Sequence, residues 1–247
     1  MSGETWLVLG ASSAIARAFA REVAARGDRV VLAGRDEADL QITARDLVVR
    51  HQAEAAVLAF DALAFDSHQD LLSEVMAYRQ GPLSIFLAFA EMVEQAQLGA
   101  NFAAERRMLE ATYLGAVSIL SHLAPLLEAA GAGRVVVLGS VAGDRGRPKN
   151  YSYGSAKAGL HAYTQGLRAR LWRCGVSVTT IKPGFIDTSM TWGLPGLFLV
   201  ASPEACARAC LRHALNGAAV RYVPGFWWLI MGIIKLAPEA IFKRLNI

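Results

Sequence analysis

Residues 9–17 read LGASSAIAR, and this stretch decides the fold. A short apolar run, Trp6-Leu7-Val8-Leu9, precedes it, and an alanine-rich stretch follows. That order predicts a strand, a tight turn and a helix, the place where an α/β protein carries a dinucleotide-binding loop. Such loops are rich in glycine. Here only Gly10 is kept, and Ala14 and Ala16 stand where two more glycines are expected. Gly10 supplies the strained turn that glycine adopts at least cost. Ser12 or Ser13 can cap the helix or meet a phosphate. Positions 14 and 16 fall at or just inside the helix start, where alanine favours helix over glycine by about 1 kcal/mol. The loop is therefore expected to work, with the pyrophosphate slightly farther from the backbone and more weakly held than by three glycines.

Outward from this loop, strand and helix alternate. Strands are expected at 6–9, 29–33, 55–60, 83–88, 134–138 and 176–181. Helices are expected at 14–25, 37–52, 70–79, in two segments over 103–130, and at 153–174. The strands are nearly continuous apolar runs, as in a parallel sheet covered on both faces. The expected fold class is α/β: a Rossmann-like, doubly wound parallel sheet with helices on both faces, one domain over residues 1–247. Ligands in such folds sit beyond the carboxyl ends of the strands. Gly10, Arg35, Asp61, Ser140 and Gly184 all fall at those ends.

Composition narrows the function. With 54% hydrophobic and 19% charged residues, the chain has material for a large core and is not of disordered type. A net charge of +4 with no Lys/Arg run argues against a nucleic-acid partner. Cys174, Cys206 and Cys210 do not make a disulfide framework. No basic segment followed by an apolar core and a cleavage site opens the chain, so a cytosolic location is expected. No uninterrupted apolar run reaches about 18 residues, so no spanning helix is expected. Cys206, Cys210 and His213 share one helical face; a buried stripe is favoured there over a metal site, and no metal is expected.

Ser140, Tyr153 and Lys157 form the strongest constellation. Tyr153 and Lys157 are four apart and share a helix face. A neighbouring ammonium lowers a phenol's pKa, and a tyrosine so tuned can serve as acid or base for a carbonyl/alcohol pair. Ser140, at a strand end thirteen residues before Tyr153, could donate a hydrogen bond to the same substrate oxygen. At the adenosine end, an acidic residue closing the second strand would bind a ribose 2′-hydroxyl, whereas an arginine pairs with a 2′-phosphate. The strand here closes Ala33-Gly34-Arg35, which favours NADP(H) over NAD(H). The alternative for Arg35 is a solvated pair with Asp36 or Asp39. Asp61 is expected at the adenine amine, or as a helix N-cap.

With these residues the chain resembles the short-chain dehydrogenase/reductases over nearly its whole length. The matching motifs are Gly10-Ala11-Ser12-Ser13-Ala14-Ile15-Ala16, Asp61, Val137-Leu138-Gly139-Ser140, Tyr153-Gly154-Ser155-Ala156-Lys157 and Lys182-Pro183-Gly184. The resemblance implies NAD(P)-dependent carbonyl reduction or alcohol oxidation. It makes Tyr153 the acid/base, Lys157 the holder of the nicotinamide ribose and Ser140 the orienter of the substrate carbonyl. Gly184 would let the backbone approach the nicotinamide, and Thr188 would bind its carboxamide or the phosphates. Ser12, Ser13, Ala14, Ile15, Ala62, Ala90, Pro183 and Ile186 complete the implied cofactor contacts. Thr112 replaces an asparagine that in many members holds a proton-relay water, so a changed relay is expected. Leu87-Ala88-Phe89-Ala90-Glu91 also departs from the family, which usually carries Asn-Asn-Ala-Gly there. These departures leave open a second reading, a cofactor-binding sensor or scaffold without catalysis. The family further implies a homo-oligomer, a dimer or tetramer.

A mean hydropathy of +0.32 points to apolar surface that meets a partner or lipid. The C-terminal segment, 226–247, opens Phe226-Trp227-Trp228-Leu229-Ile230-Met231 and carries Lys235, Lys243 and Arg244. It fits either a subunit interface or core, or peripheral membrane contact. The apolar loop Trp192–Val200 lies where the family's mobile substrate lid falls and suggests a hydrophobic or lipid-linked carbonyl substrate. Within the family, the nearest resemblance is to the branch that reduces a polyprenyl-phosphate-linked 2-keto pentofuranose.

Overall fold

The structure, a computed structural model, describes residues 3–99, 101–193 and 196–245. Seven strands form one sheet: β1 (Thr5–Leu9), β2 (Arg29–Gly34), β3 (Ala55–Ala59), β4 (Leu83–Leu87), β5 (Arg134–Leu138), β6 (Ser177–Pro183) and β7 (Val220–Val223). Their spatial order is β3-β2-β1-β4-β5-β6-β7, and every pairing is parallel. Successive strand residues point to opposite faces. Trp6 and Val8 therefore enter one core layer and Leu7 and Leu9 the other. Burial on both faces is why these strands read as unbroken apolar runs.

The first layer holds α1 (Ala14–Ala24), α2 (Glu37–His51) and α8 (Pro203–Leu215). Small residues on α1, Ala16 and Ala20, meet Cys206, Ala207 and Cys210 of α8 in this layer. The cysteines are core packing, as the apolar-stripe reading expected. The second layer holds α3 (His68–Tyr78), α6 (Gly115–Ala130) and α7 (Tyr151–Trp172). Two short helices, α4 (Gln95–Leu98) and α5 (Phe102–Leu109), precede α6.

The two segments expected over 103–130 are α5 and α6, joined through a π-helical turn at Glu110–Leu114. Together they make a 29-residue stretch, Phe102–Ala130, long and apolar enough to cross a bilayer by length and composition. One face of it (Ile119, Leu120, Leu123 and Leu127) is buried in the second layer against the sheet. Beyond the expected elements lie α4, α8, β7, α9 (Trp227–Leu236) and α10 (Glu239–Phe242).

The sheet order reverses between β1 and β4, which sit side by side. Their connections leave in opposite directions, and a cleft opens at their carboxyl ends.

Candidate active site

A cleft of about 550 Å3 runs along those strand ends. From β1 it takes Gly10 and the start of α1; from β2, Gly34 and Arg35; from beyond β3, Phe60, Asp61, Ala62 and Leu63. Ala88–Glu91 follow β4, and Leu138 and Gly139 close β5. Tyr153 and Lys157 enter from α7, and Pro183, Thr188, Ser189 and Met190 from beyond β6.

The loop works locally as its sequence suggests. Gly10 has φ +76°, and a Cβ there would lie 2.8 Å from that of Phe89. Ser13 caps α1, its Oγ accepting the Ala16 N–H at 3.2 Å. Among the described residues no acceptor takes the N–H groups of Ala14 or Ile15. Those two donors stand at a helix N-terminus facing the cleft, which suits a pyrophosphate. Ala14 is exposed at the cleft, but Ala16 is buried against the sheet. Only the first alanine methyl borders phosphate space.

At the far end, Arg35 is exposed. Asp36 instead accepts the Asp39 N–H at 3.0 Å as the cap of α2, and Asp39 pairs with Arg17. Neither carboxylate engages Arg35 in an ion pair. Asp61 accepts the Leu63 N–H at 3.0 Å and lines the cleft with Ala62. These residues fit a dinucleotide: two free amides for the pyrophosphate, and a carboxylate and a guanidinium at the opposite, β2–β3 end of the cleft.

At the reacting end, Gly154 lets α7 approach closely, since a Cβ there would lie 2.8 Å from Ala142 O. That approach brings Tyr153 to Ser140. The Ser140 Oγ accepts the Ala142 N–H at 3.1 Å, and Ser140 also hydrogen-bonds Tyr153. Lys157 donates to Leu138 O at 2.8 Å and lies 5.8 Å from the centre of the Tyr153 ring. Both side chains are buried, at 6% and 2% exposure.

The expected lowering of the Tyr153 pKa by Lys157 is not what these surroundings produce. Burial pushes the phenol up to about 12, against a smaller downward pull from the Ser140 hydrogen bond. Burial also pulls Lys157 down to about 7. Desolvation of the two groups outweighs their mutual attraction, because the ammonium is aimed at Leu138. Tyr153 is thus a protonated phenol, the form that donates a proton.

Three expected residues are placed elsewhere. Thr112 is fully buried; its Oγ1 accepts the Glu91 N–H and donates to Glu91 O, both at 2.9 Å. Its donor is spent on holding the Ala90–Glu91 turn, so it has no proton to pass along a relay. Gly184 faces Trp227, whose indole occupies the space a Cβ would take. Pro183 and Thr188 line the cleft, whereas Gly184 does not. Ile186 is 3% exposed and packs in the first core layer. Ser12, Ser13, Ala14, Ile15, Arg35, Asp61, Ala62, Ala90, Pro183 and Thr188 all line the cleft.

Phe89, Glu91 and Arg107 line it as well. Phe89 and Glu91 belong to the stretch that departs from the family, which was the sequence signal for them. Arg107 on α5 carried no signal; it pairs with Glu91 at 3.4 Å. Of the expected lid, Leu194 and Pro195 lie outside the described residues, as do positions 246 and 247 of the C-terminal segment. Phe198 of that loop, Phe185 after β6 and Trp227 of α9 form a triangle of rings with centres 5.4 to 5.6 Å apart.

Comparison with known proteins agrees with this geometry. Residues 4–195 match the family described as short chain dehydrogenase. An uncharacterized oxidoreductase of Mycobacterium tuberculosis is 34% identical over 240 residues, covering 97% of this chain and 96% of its own. A second uncharacterized oxidoreductase, from Streptomyces coelicolor, is 36% identical over 242 residues, covering 97% and 94%. Among solved structures, a short-chain dehydrogenase from Sphingobium yanoikuyae in complex with NADPH superposes with TM-score 0.78 at 24% identity, covering 96% and 97%. The chain belongs to the short-chain dehydrogenase/reductase family and is an NAD(P)-dependent oxidoreductase.

Proposed function

We propose that the protein is an NADPH-dependent carbonyl reductase acting on a hydrophobic or lipid-linked ketone. The observation that carries the reaction is the pair of buried side chains Tyr153 and Lys157 lining the dinucleotide cleft, with half-buried Ser140 hydrogen-bonded to Tyr153 just behind the Gly139 lining. The nicotinamide, when bound, supplies the hydride. Tyr153, held protonated by burial, delivers its proton to the substrate oxygen. Ser140 accepts from the Ala142 N–H through its oxygen, which leaves its hydroxyl proton to point at Tyr153 and, with substrate in place, to turn to the substrate oxygen. It can therefore donate to the same oxygen as charge develops there. Lys157 favours the phenolate left on Tyr153. A non-catalytic sensor would have no use for all three side chains at one spot.

Arg35 supports NADP(H), since nothing described pairs with its guanidinium at the position where a 2′-phosphate would lie. The NADPH complex of the Sphingobium yanoikuyae structure points the same way. The apolar substrate class is supported by the Phe185–Phe198–Trp227 triangle, by Met190 at the cleft and by the exposed Trp192 two residues on. A polyprenyl-phosphate-linked keto sugar is the specific candidate. The exposed face of α9 suits contact with a membrane that would hold such a lipid.

Replacing Tyr153 with Phe should lower kcat by about a hundredfold or more while NADPH still quenches tryptophan fluorescence with unchanged Kd. Substantial residual turnover over a panel of ketones would remove Tyr153 from the acid role.

A further inference from the structure

One side chain outside the set touches Ser140 itself. His161 stands one turn after Lys157 on α7, with its side chain 12% exposed. The Ser140 N–H donates to His161 Nε2 at 3.3 Å. The ring is built into the backbone around Ser140. A Cβ on Gly139 would collide with Nε2, and one on Gly143 would lie 2.7 Å from Cε1. A ring nitrogen that accepts an N–H carries its lone pair, so the imidazole is neutral with its proton on Nδ1. Nδ1 lies 3.8 Å from Asp144 Oδ1, too far for a hydrogen bond but near enough for the carboxylate's charge to favour that tautomer. The charged groups around the ring are Asp144 from the 3-10 turn Val141–Asp144, Lys182 from β6 and Lys157 from α7. Burial, helped by the two lysines, pulls the imidazole down to about 3. Asp144 is fixed in turn by Lys182 and by the Tyr222 hydroxyl, which donates to it at 2.6 Å.

We infer that His161 is a positioning residue for proton delivery: its Nε2 holds the Ser140 main chain so that the Ser140 hydroxyl meets Tyr153. This rests on the reductase reading above. The route runs from α7 back to the β5 end, and Tyr153 and His161 sit two turns apart on the same helix. One rigid element thus carries both the proton donor and the group that aims its partner.

The test uses the full-length protein with NADPH and phenanthrenequinone as probe. His161→Leu removes the acceptor at similar volume. It should lower kcat by about tenfold or more with KM for NADPH changed by less than about twofold. His161→Gln, whose Oε1 can accept the Ser140 N–H, should recover most of kcat. In a Ser140→Ala background His161→Leu should add less than about twofold, because its effect passes through Ser140. An independent, additive loss in the double variant overturns the proposal. So does a Gln variant that regains wild-type urea stability without regaining kcat. If the wild type reduces no carbonyl, the reductase reading fails by itself. Nitrogen-15 spectra of histidine-labelled protein then decide the arrangement at pH 7. A neutral Nδ1–H ring supports the proposal; an Nε2–H or a protonated ring sinks it.

Discussion

At the scale of the residue, burial sets the chemistry more than spacing does. The i, i+4 relation of Tyr153 and Lys157 was plain in the sequence, but the direction of the phenol shift was not. Spacing says which groups are neighbours, whereas desolvation depends on what the rest of the chain places around them. Lys157 gives a pH test. Its folded pKa is about 7, against an ordinary value of 10.5. Between those values the unfolded chain binds the extra proton, so stability rises with pH across that window. In the absence of nucleotide, the urea midpoint should climb more steeply between pH 7 and 10 for the wild type than for Lys157→Met. Equal slopes would mean that Lys157 keeps an ordinary pKa in the folded protein. Arg35 gives a cofactor test. Arg35→Ser removes the pairing partner of a 2′-phosphate and should raise KM for NADPH by about tenfold, an effect of about 1.4 kcal/mol, while KM for NADH changes little. Equal changes for both cofactors would place the guanidinium away from the 2′ position.

At the scale of the element, the C-terminal helices are held by one arginine. Arg145 follows the 3-10 turn that Ser140 caps. Its Nη1 donates to Ile234 O at 2.7 Å, Lys235 O at 3.3 Å and Ala237 O at 2.5 Å, the open carbonyls at the end of α9. Its Nη2 pairs with Glu239, and its guanidinium lies 3.8 Å from the centre of the Phe242 ring. A cation at a helix C-terminus satisfies unpaired acceptors and opposes the dipole. Arg145→Ala should therefore loosen α9 and α10, and trypsin should cut after Lys235 or Lys243 about tenfold faster than in the wild type. Unchanged cleavage would show that Trp227 and Met231 anchor the segment without the clamp. The same element shows what Gly184 makes room for. Lys182-Pro183-Gly184 was legible as a motif, yet Gly184 serves the indole of Trp227, forty-three positions later. Local sequence shows that a glycine is present; only the packed chain shows which group needs the room.

At the scale of the whole molecule, one face of the protein is apolar and unshared by the core. It comprises Trp228, Leu229, Ile233 and Leu236 of α9, with Ile241 exposed on the following α10. Lys235, Lys243 and Arg244 are exposed on the same segment, and Glu239 is paired with Arg145. Tryptophan with lysine and arginine beside an apolar helix face suits an anionic bilayer surface. The protein should float with vesicles of phosphatidylcholine containing about one third phosphatidylglycerol, and less so at high salt. Trp228→Ser with Leu229→Ser should abolish flotation without changing the sedimenting mass. A fall in mass with flotation unaltered would make this face a contact between subunits.

The sequence by itself determined the parallel sheet, the positions of its first six strands along the chain, the loop at residues 9–17 and the Ser140–Tyr153–Lys157 set. Those features are local: apolar runs, turn residues and helical spacing express physics that acts over a few positions. It did not give α8 its bounds, and it did not reveal β7 as the seventh strand, because β7 is only four residues long. Tertiary structure alone decided that Thr112 is spent on Glu91, that Trp227 fills the space at Gly184, and that His161 reaches the amide of Ser140. Each of these is a meeting of residues more than twenty positions apart, and such meetings are set by how the elements stack on the sheet.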